Sequence, residues 1–491
     1  MASRVAGQAG NERPSAVTAL CERLFRLSAW HTSIGTEMLA GLTTFMVMAY
    51  IIFVNPNILL TTQPDQSLRP GITTATCLVA GVLSIAMGLY TNRAFALAPG
   101  LGLNAVVAFQ LVGAQKLTYN EAMGVIVAQG VIITILVVTG LRKAVMDAIP
   151  ADLKRAISVG IGFFILFIGV VQAGIVVPGQ GTPLQMGKLV GWPVAIAVLG
   201  LLLTVTLMAR NVRGALLWGI LGAAALAVIV NYANGGTLWL VDGKDVGIAK
   251  LPSRWVATPD FSTVGHISFG FIPKLGLLTA GLVVLSLFLS DFFDMVGTLI
   301  GVGGMAGYLD EKGEFPDVQK PLLVDSLAAV AGGLAGSSSA TTYIESAAGV
   351  GIGGRTGLTA VVTGVLFLLA MPFWPLIGIV PTQATAPALI LVGFLMSGVL
   401  APRTVIGEGG REHVAGGIDF NDLVMGLPAL ATILLIPLTY SITNGIGAGF
   451  LLYTVLRLVR GEWRKIHPAL YVVAAVFLLY FLREPLFGVT V

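Results

Sequence analysis

Ser337–Gly351 reads SSSATTYIESAAGVG. It lies between long apolar runs, yet it is short, built of small and polar residues, and carries a carboxylate, Glu345. A helix that crosses a bilayer needs about 20 apolar residues, and this stretch does not supply them. The first half of the chain holds a counterpart. Phe95–Phe109 reads FALAPGLGLNAVVAF, interrupted by Pro99, Gly100 and Gly102. Each is the third apolar segment of its half. A broken helix leaves N–H and C=O groups unpaired in a dry medium, which is tolerated only where protein or a cavity satisfies them. Two such segments at matching places point to a ligand site near the bilayer midplane.

Composition agrees with a membrane setting. Of 491 residues, 56% are hydrophobic and 11% charged, against about 25% charged in soluble domains. Mean hydropathy is +0.90. An ordinary soluble enzyme, a disordered chain and a fibrous chain are excluded. The 62 glycines are roughly double the usual ~7% and suit close helix packing. The net charge of +4 fits basic loops on one membrane side and does not argue for nucleic acid. Cys21 and Cys77 give neither a disulfide framework nor metal-ligand spacing.

Hydropathy predicts spans near 38–60, 73–91, 95–109 (short), 122–140, 155–177, 191–209 and 214–231. After 232–270 come 271–296, 322–336, 341–351 (short), 356–379, 385–400, 422–441, 444–459 and 467–486. Residues 1–35 read as a cytoplasmic tail without a cleavable signal, since the first apolar run is too long for a signal-peptide core. A first membrane repeat over 36–231, an extracytoplasmic loop over 232–270 and a second repeat over 271–491 follow. Arg4 and Arg13, then Arg93, Arg142, Lys143, Lys154, Arg155, Arg210 and Arg213 fall on one side. So do Lys312, Lys320, Arg355, Arg403, Arg411, Arg457, Arg460, Arg464 and Lys465. The positive-inside rule makes that side cytoplasmic. Seven segments before the loop set the halves in opposite orientation. The last hairpin leaves open whether 444–459 and 467–486 both cross.

A carboxylate at mid-membrane costs about 2.5–3.5 kcal/mol on insertion scales, so buried acids are candidates for function. Asp291 and Asp294 in SLFLSDFFDMVGT are three apart and share a helix face. Glu345 sits in one broken segment and Asn104 in the other. Acids in such surroundings can bind a polar planar ligand and exchange a proton near neutral pH. Solvated helix ends, or a sodium or metal site of hard oxygens, are the alternatives. Tyr343, Phe292 and Phe293 are aromatic neighbours available for stacking or packing. Arg355 reads as a topology anchor, and GVGGMAG (301–307) as a turn or packing element after the span. His31, His266, His413 and His467 fall in loops or near span ends. No Walker A, HExxH or GxSxG sequence occurs, which disfavours an ATP-driven pump, a zinc protease or another enzyme.

The same segments carry a resemblance. The blocks are GLTTFMVMAYIIFVNP (41–56), ALAPGLGLNAVVAF (96–109), SDFFDMVGTLIGVGG (290–304), SSSATTYIESAAGVGIGGRTGLTAVVTG (337–364) and PLTYSITNGIGAGF (437–450). From about Glu37 to Leu482 the chain resembles the hypoxanthine/guanine/adenine permease (AzgA-like) branch of the nucleobase:cation symporter-2 family. The resemblance implies an all-α polytopic protein with two inverted repeats of seven helices, the third and tenth short and broken, and with core and gate domains. It implies import of purine nucleobases across the plasma (inner) membrane by H+ symport, with Na+ as the alternative coupling ion. Asn104, Asp294 and Glu345 match the family's substrate-binding positions, with Phe292, Tyr343 and Ser346 beside them. Asp291, Asp294 and Glu345 are the expected proton-coupling residues. No cofactor or metal is expected, and a homodimer is implied. Met295 and Val296 stand where the branch carries small or hydroxyl residues. Transport of xanthine or uracil is the nearest alternative. An anion exchanger or channel of related fold is more distant, because buried acids oppose an anion site.

Overall fold

An apolar run in lipid must pair its own backbone groups, and the helix does so within one segment. The computed structural model describes residues 16–62, 66–140, 149–179, 181–241, 244–245, 248–309, 315–401, 403–406, 412–415 and 417–482. Arg4, Arg13, Arg142, Lys143, Lys312 and Arg411 lie outside the described residues. Ten described helices are long and apolar enough to cross a membrane.

The first span is two helices, α1 (Ile34–Met48) and α2 (Ile51–Leu59). Ser33 caps α1 by accepting the Thr36 N–H at 3.2 Å. Then come α3 (Arg69–Thr91), strand β1 (Leu97–Pro99), α4 (Leu101–Ala105) and a π-helical segment, Val106–Ala114. The first half continues with α5 (Tyr119–Thr139), α6 (Ala151–Gln172), α7 (Trp192–Ala209) and α8 (Ala215–Ala233). The second half has α9 (Leu277–Ala306), α10 (Gln319–Ala335), strand β2 (Ala340–Thr342), α11 (Ser346–Gly351), α12 (Gly357–Ala370), α13 (Trp374–Gly378) and α14 (Thr382–Ser397). It closes with α15 (Leu423–Leu438), α16 (Ile442–Val459) and α17 (Pro468–Phe481).

Two expectations change. The chain is mostly helical rather than all-helical. Beside β1–β2, short ladders join Val176–Pro178 to Leu184–Met186, Leu240–Val241 to Lys244–Asp245 and Arg403–Ile406 to Glu412–Ala415. The run expected to end at 296 forms α9 and continues to Ala306. Gly301–Gly304 therefore lie in its last turns rather than after it, and Gly307 (φ 74) caps it in the left-handed region.

Helices from both halves interleave. α3 packs on α12 and α10, α5 on α10 and α9, and α12 also on α1. Elsewhere α6 packs on α14 and α15, and α8 on α7 and α14. The α3–α12 contact brings backbone against backbone. A Cβ on Gly357 would fall inside the carbonyl group of Gly88, and a Cβ on Gly88 would strike the Gly357 carbonyl. The Asn92 side chain fixes the same corner, its Oδ1 accepting the Gly357 N–H at 2.9 Å. Gly357→Ala is expected to separate the helices and destabilise the fold by about 1–3 kcal/mol. Thermal melting in detergent measures it; an unchanged midpoint would show that the contact yields freely.

Candidate functional site

The two broken segments meet. β1 and β2 pair antiparallel, with Leu97 opposite Thr342, Ala98 opposite Thr341 and Pro99 opposite Ala340. The ladder extends beyond the strands: Gly100 N–H donates to the Ser339 carbonyl at 2.8 Å, and Tyr343 N–H donates to the Ala96 carbonyl at 3.0 Å. Strand pairing thus supplies the partners that the missing helical turns do not. Ser84 from α3 holds Leu97 from both sides, accepting its N–H at 2.9 Å and donating to its carbonyl at 3.2 Å. From this ladder α4 and α11 start as short helices, and α9 packs on β2, α11 and α4.

Asn104 on α4 is fully buried, and neither its Oδ1 nor its Nδ2 has a hydrogen-bond partner in the protein. Such an amide holds two donors and one acceptor in reserve. Glu345 immediately precedes α11, is half-buried, and accepts from Tyr50 Oη at 2.7 Å. Tyr50 lies at the junction of α1 and α2 and is buried. Asp294 on α9 is half-buried and interacts electrostatically with Asp291 and Glu345. Asp291 is 2% exposed, which removes the solvated-helix-end reading for it. Its Oδ2 accepts from Gln129 Nε2 at 2.8 Å and from Ser339 Oγ at 2.6 Å, while Oδ1 has no partner.

The remaining candidates divide. Tyr343 is buried, donates through Oη to the Pro99 carbonyl at 2.5 Å and interacts electrostatically with Glu345 and Asp294. Ser346 is also buried, but its Oγ accepts the Ala96 N–H at 3.0 Å and so braces β1. Phe292 is fully buried, with ring contacts to Phe288 and Phe293, each at 5.6 Å. Arg355 does more than mark topology: Nη1 donates to the carbonyls of Val350 and Gly354 at 2.6 and 2.7 Å, closing the end of α11.

Sequence reasoning missed four polar side chains. Asp325 on α10 is 2% exposed and accepts from the Thr342 N–H at 2.5 Å, from the Thr341 hydroxyl at 3.3 Å and from the Thr342 hydroxyl. Glu37 is fully buried and accepts from Arg355 N–H at 2.9 Å and Thr359 Oγ1 at 2.5 Å. The other two are Gln129, which holds Asp291, and Tyr50, which holds Glu345. Asp325 and Glu37 were open to the same test as the other acids, a carboxylate inside or at the edge of an apolar run. Tyr50 carried no such signal, since nothing in AYIIF marks its hydroxyl as a long-range donor.

Acids, an unpartnered amide and half-helices packed together suit a neutral ligand that bears both N–H donors and acceptor atoms. Among the described residues no group of three His, Cys, Asp or Glu is arranged to hold a metal ion.

Known proteins resemble this chain along most of its length. Residues 35–403 match the model of a permease family. The adenine permease AdeQ of Escherichia coli K12 is 39% identical over 93% of this chain and 95% of its own length. The guanine/hypoxanthine permease PbuO of Bacillus subtilis 168 is also 39% identical, over 93% of this chain and 99% of its own. Among solved structures, the transmembrane domain of the cyanobacterial bicarbonate transporter BicA superposes with a TM-score of 0.57 at 14% identity, covering 84% of this chain and 96% of that one. The murine anion transporter Slc26a9 in its inward-facing state gives 0.60 at 11% identity, covering 93% and 74%. Those two likenesses establish the fold alone. With the family match spanning most of the chain and relatives of this identity along nearly its whole length, the chain is a member of the nucleobase:cation symporter-2 permease family.

Proposed function

We propose that this protein imports purine nucleobases across the plasma (inner) membrane by proton symport, its N-terminus on the cytoplasmic side. One observation carries the reading: Asn104, with both polar ends unpartnered, lies on the short helix that follows one strand of the ladder, Glu345 follows the other strand, and Asp294 interacts electrostatically with Glu345. A purine is flat and mostly neutral, and presents ring N–H groups beside acceptor nitrogens. A carboxylate can take two such N–H groups side by side, and charge-assisted bonds are the stronger kind. The relatives named for adenine and for guanine/hypoxanthine support the purine class. Negative charges close together in a low-dielectric interior are costly, so arrival of a proton with the base offsets that cost. This links the two movements.

The packing supports a core of α1–α5 and α9–α12 that moves against a gate of α6–α8 and α14–α16, by an elevator-like or rocking shift. Fourteen segments in two inverted repeats, over 36–231 and 271–491, remain the preferred topology, with α17 outside the count. With 14 residues, α17 reaches only about 21 Å, short of a hydrocarbon core of about 30 Å.

Uptake of labelled adenine, guanine and hypoxanthine in permease-deficient cells tests the reading, at two external pH values. Saturable uptake that rises at the lower pH is expected, with weaker competition by xanthine and uracil. Absence of saturable uptake of all three bases, with the protein inserted, would overturn it. Dependence on Na+ instead of pH would transfer the coupling role to sodium.

A further inference from the structure

We propose that Tyr440, with Phe109, is a selectivity gate between the candidate site and one face of the membrane; this rests on the reading that Asn104 and Glu345 hold the substrate. Tyr440 lies between α15 and α16 and has φ 50. Bulky non-glycine residues avoid that left-handed region unless their surroundings hold them there, and such positions concentrate at functional sites. What holds Tyr440 is a set of rings. Its centroid lies 5.6 Å from Phe109, 5.6 Å from Phe164 and 5.4 Å from Phe167. Phe164 and Phe167 belong to α6, in the proposed gate, while Phe109 belongs to the π-helical segment after α4.

That segment connects the cluster to the site. A π-helix closes i→i+5 bonds and is rare beyond a single turn, yet here it spans nine residues. Phe109 follows Asn104 by about one turn of such a helix. The next residue makes a polar bond to the same junction: Gln110 Nε2 donates to Thr443 Oγ1 at 3.0 Å, both side chains buried. Phe109 and Gln110 therefore join the segment leaving the site to the start of α16. Tyr440 itself is half-buried, unlike Phe164, which is fully enclosed. A partly open ring held by edge-on and tilted neighbours, at 86°, 61° and 52° to Phe164, Phe167 and Phe109, admits a flat heteroaromatic edgewise and excludes one with a bulky substituent. Moving the proposed core against the gate must part Phe109 from Tyr440.

Two readouts test the gate. Tyr440→Phe keeps the ring and is expected to leave both unchanged. Tyr440→Ala is expected to make adenine uptake sensitive to 6-benzylaminopurine at concentrations about tenfold lower than in the unsubstituted protein. The second readout needs no transport. With Cys21→Ser and Cys77→Ala in place, Val106→Cys, two residues after Asn104 at the start of the π-helical segment and 1% exposed in the unsubstituted protein, reports on access to the site. Its labelling by a membrane-impermeant maleimide is expected to quicken about tenfold when Tyr440→Ala is added. Phe109→Ala opens the same contact from its other side and serves if Tyr440→Ala does not reach the membrane. If either variant, present in the membrane, leaves competition and labelling unchanged, the rings only pack and the gate is refuted. If the unsubstituted protein takes up no purine, the nucleobase reading fails, while the labelling rates still decide the gate.

Discussion

Asp325→Ala is expected to abolish purine uptake and to destabilise the protein more than truncation of the half-buried Asp294 or Glu345. The carboxylate lies at the interior of α10, 2% exposed, and collects the Thr342 N–H together with the hydroxyls of Thr341 and Thr342. These donors belong to β2, the strand that sets where Tyr343 and Glu345 begin. Truncation leaves a buried N–H without an acceptor and two hydroxyls without their partner. Leaving such groups unsatisfied costs on the order of 3 kcal/mol. The effect on uptake is the larger one. Displacing a binding group by about 1 Å costs about a hundredfold in rate, and among the described residues Asp325 makes the hydrogen bonds from α10 to β2. Asp325→Asn keeps the volume and one acceptor, so it is expected to hold β2 in place and to retain more of both the melting temperature and the uptake than Asp325→Ala. Near-normal uptake by Asp325→Asn and Asp325→Ala alike would show that β2 holds its place through the β1 pairing alone.

How much of this was legible before the structure depends on the range of the interaction. Helices with long apolar runs were visible because burial from water acts residue by residue along the chain. The break in the third and tenth segments was visible too, since Pro99, Gly100 and the serines of 337–339 are local signals. The pairing of β1 with β2 was not. It depends on register between segments far apart in sequence, and three-residue strands such as LAP and ATT carry no alternation to read. The junction at Ala49–Tyr50 was hidden for a different reason. No glycine or proline marks it, and the run 38–60 reads as one continuous span. Asp291, Asp294 and Glu345 stood out as charges in oil, and the structure gives them neighbouring surroundings. Around Asp325, LLVDSLAAV presents the same kind of signal as SDFFD, charge in an apolar run.

Glu345→Gln is expected to reduce uptake at least a hundredfold with the protein still present in the membrane, and Asp294→Asn to do the same. Glutamine preserves the size of the side chain, and its oxygen can still accept from Tyr50, whose Oη donates to Glu345 Oε1 at 2.7 Å. What it removes is the charge and one of two acceptor oxygens. A hydrogen bond to a charged group contributes about 1.5–3 kcal/mol, so loss of one is about one to two orders of magnitude in affinity. Under the proposed proton symport, loss of the exchangeable proton removes the coupling as well, and the two losses multiply. Tyr50→Phe provides the intermediate case: it removes a donor to Glu345 while leaving the carboxylate, so about a tenfold loss is expected. The ordering matters more than any single value. If Glu345→Gln and Tyr50→Phe lose the same amount, the Tyr50–Glu345 bond is what the site needs and the carboxylate serves to seat the α1–α2 junction. If Glu345→Gln binds adenine but no longer accumulates it against a gradient, Glu345 carries the proton and Asp294 and Asn104 hold the base. Normal accumulation in Glu345→Gln would remove Glu345 from both roles, leaving Asp294 as the acid to test next.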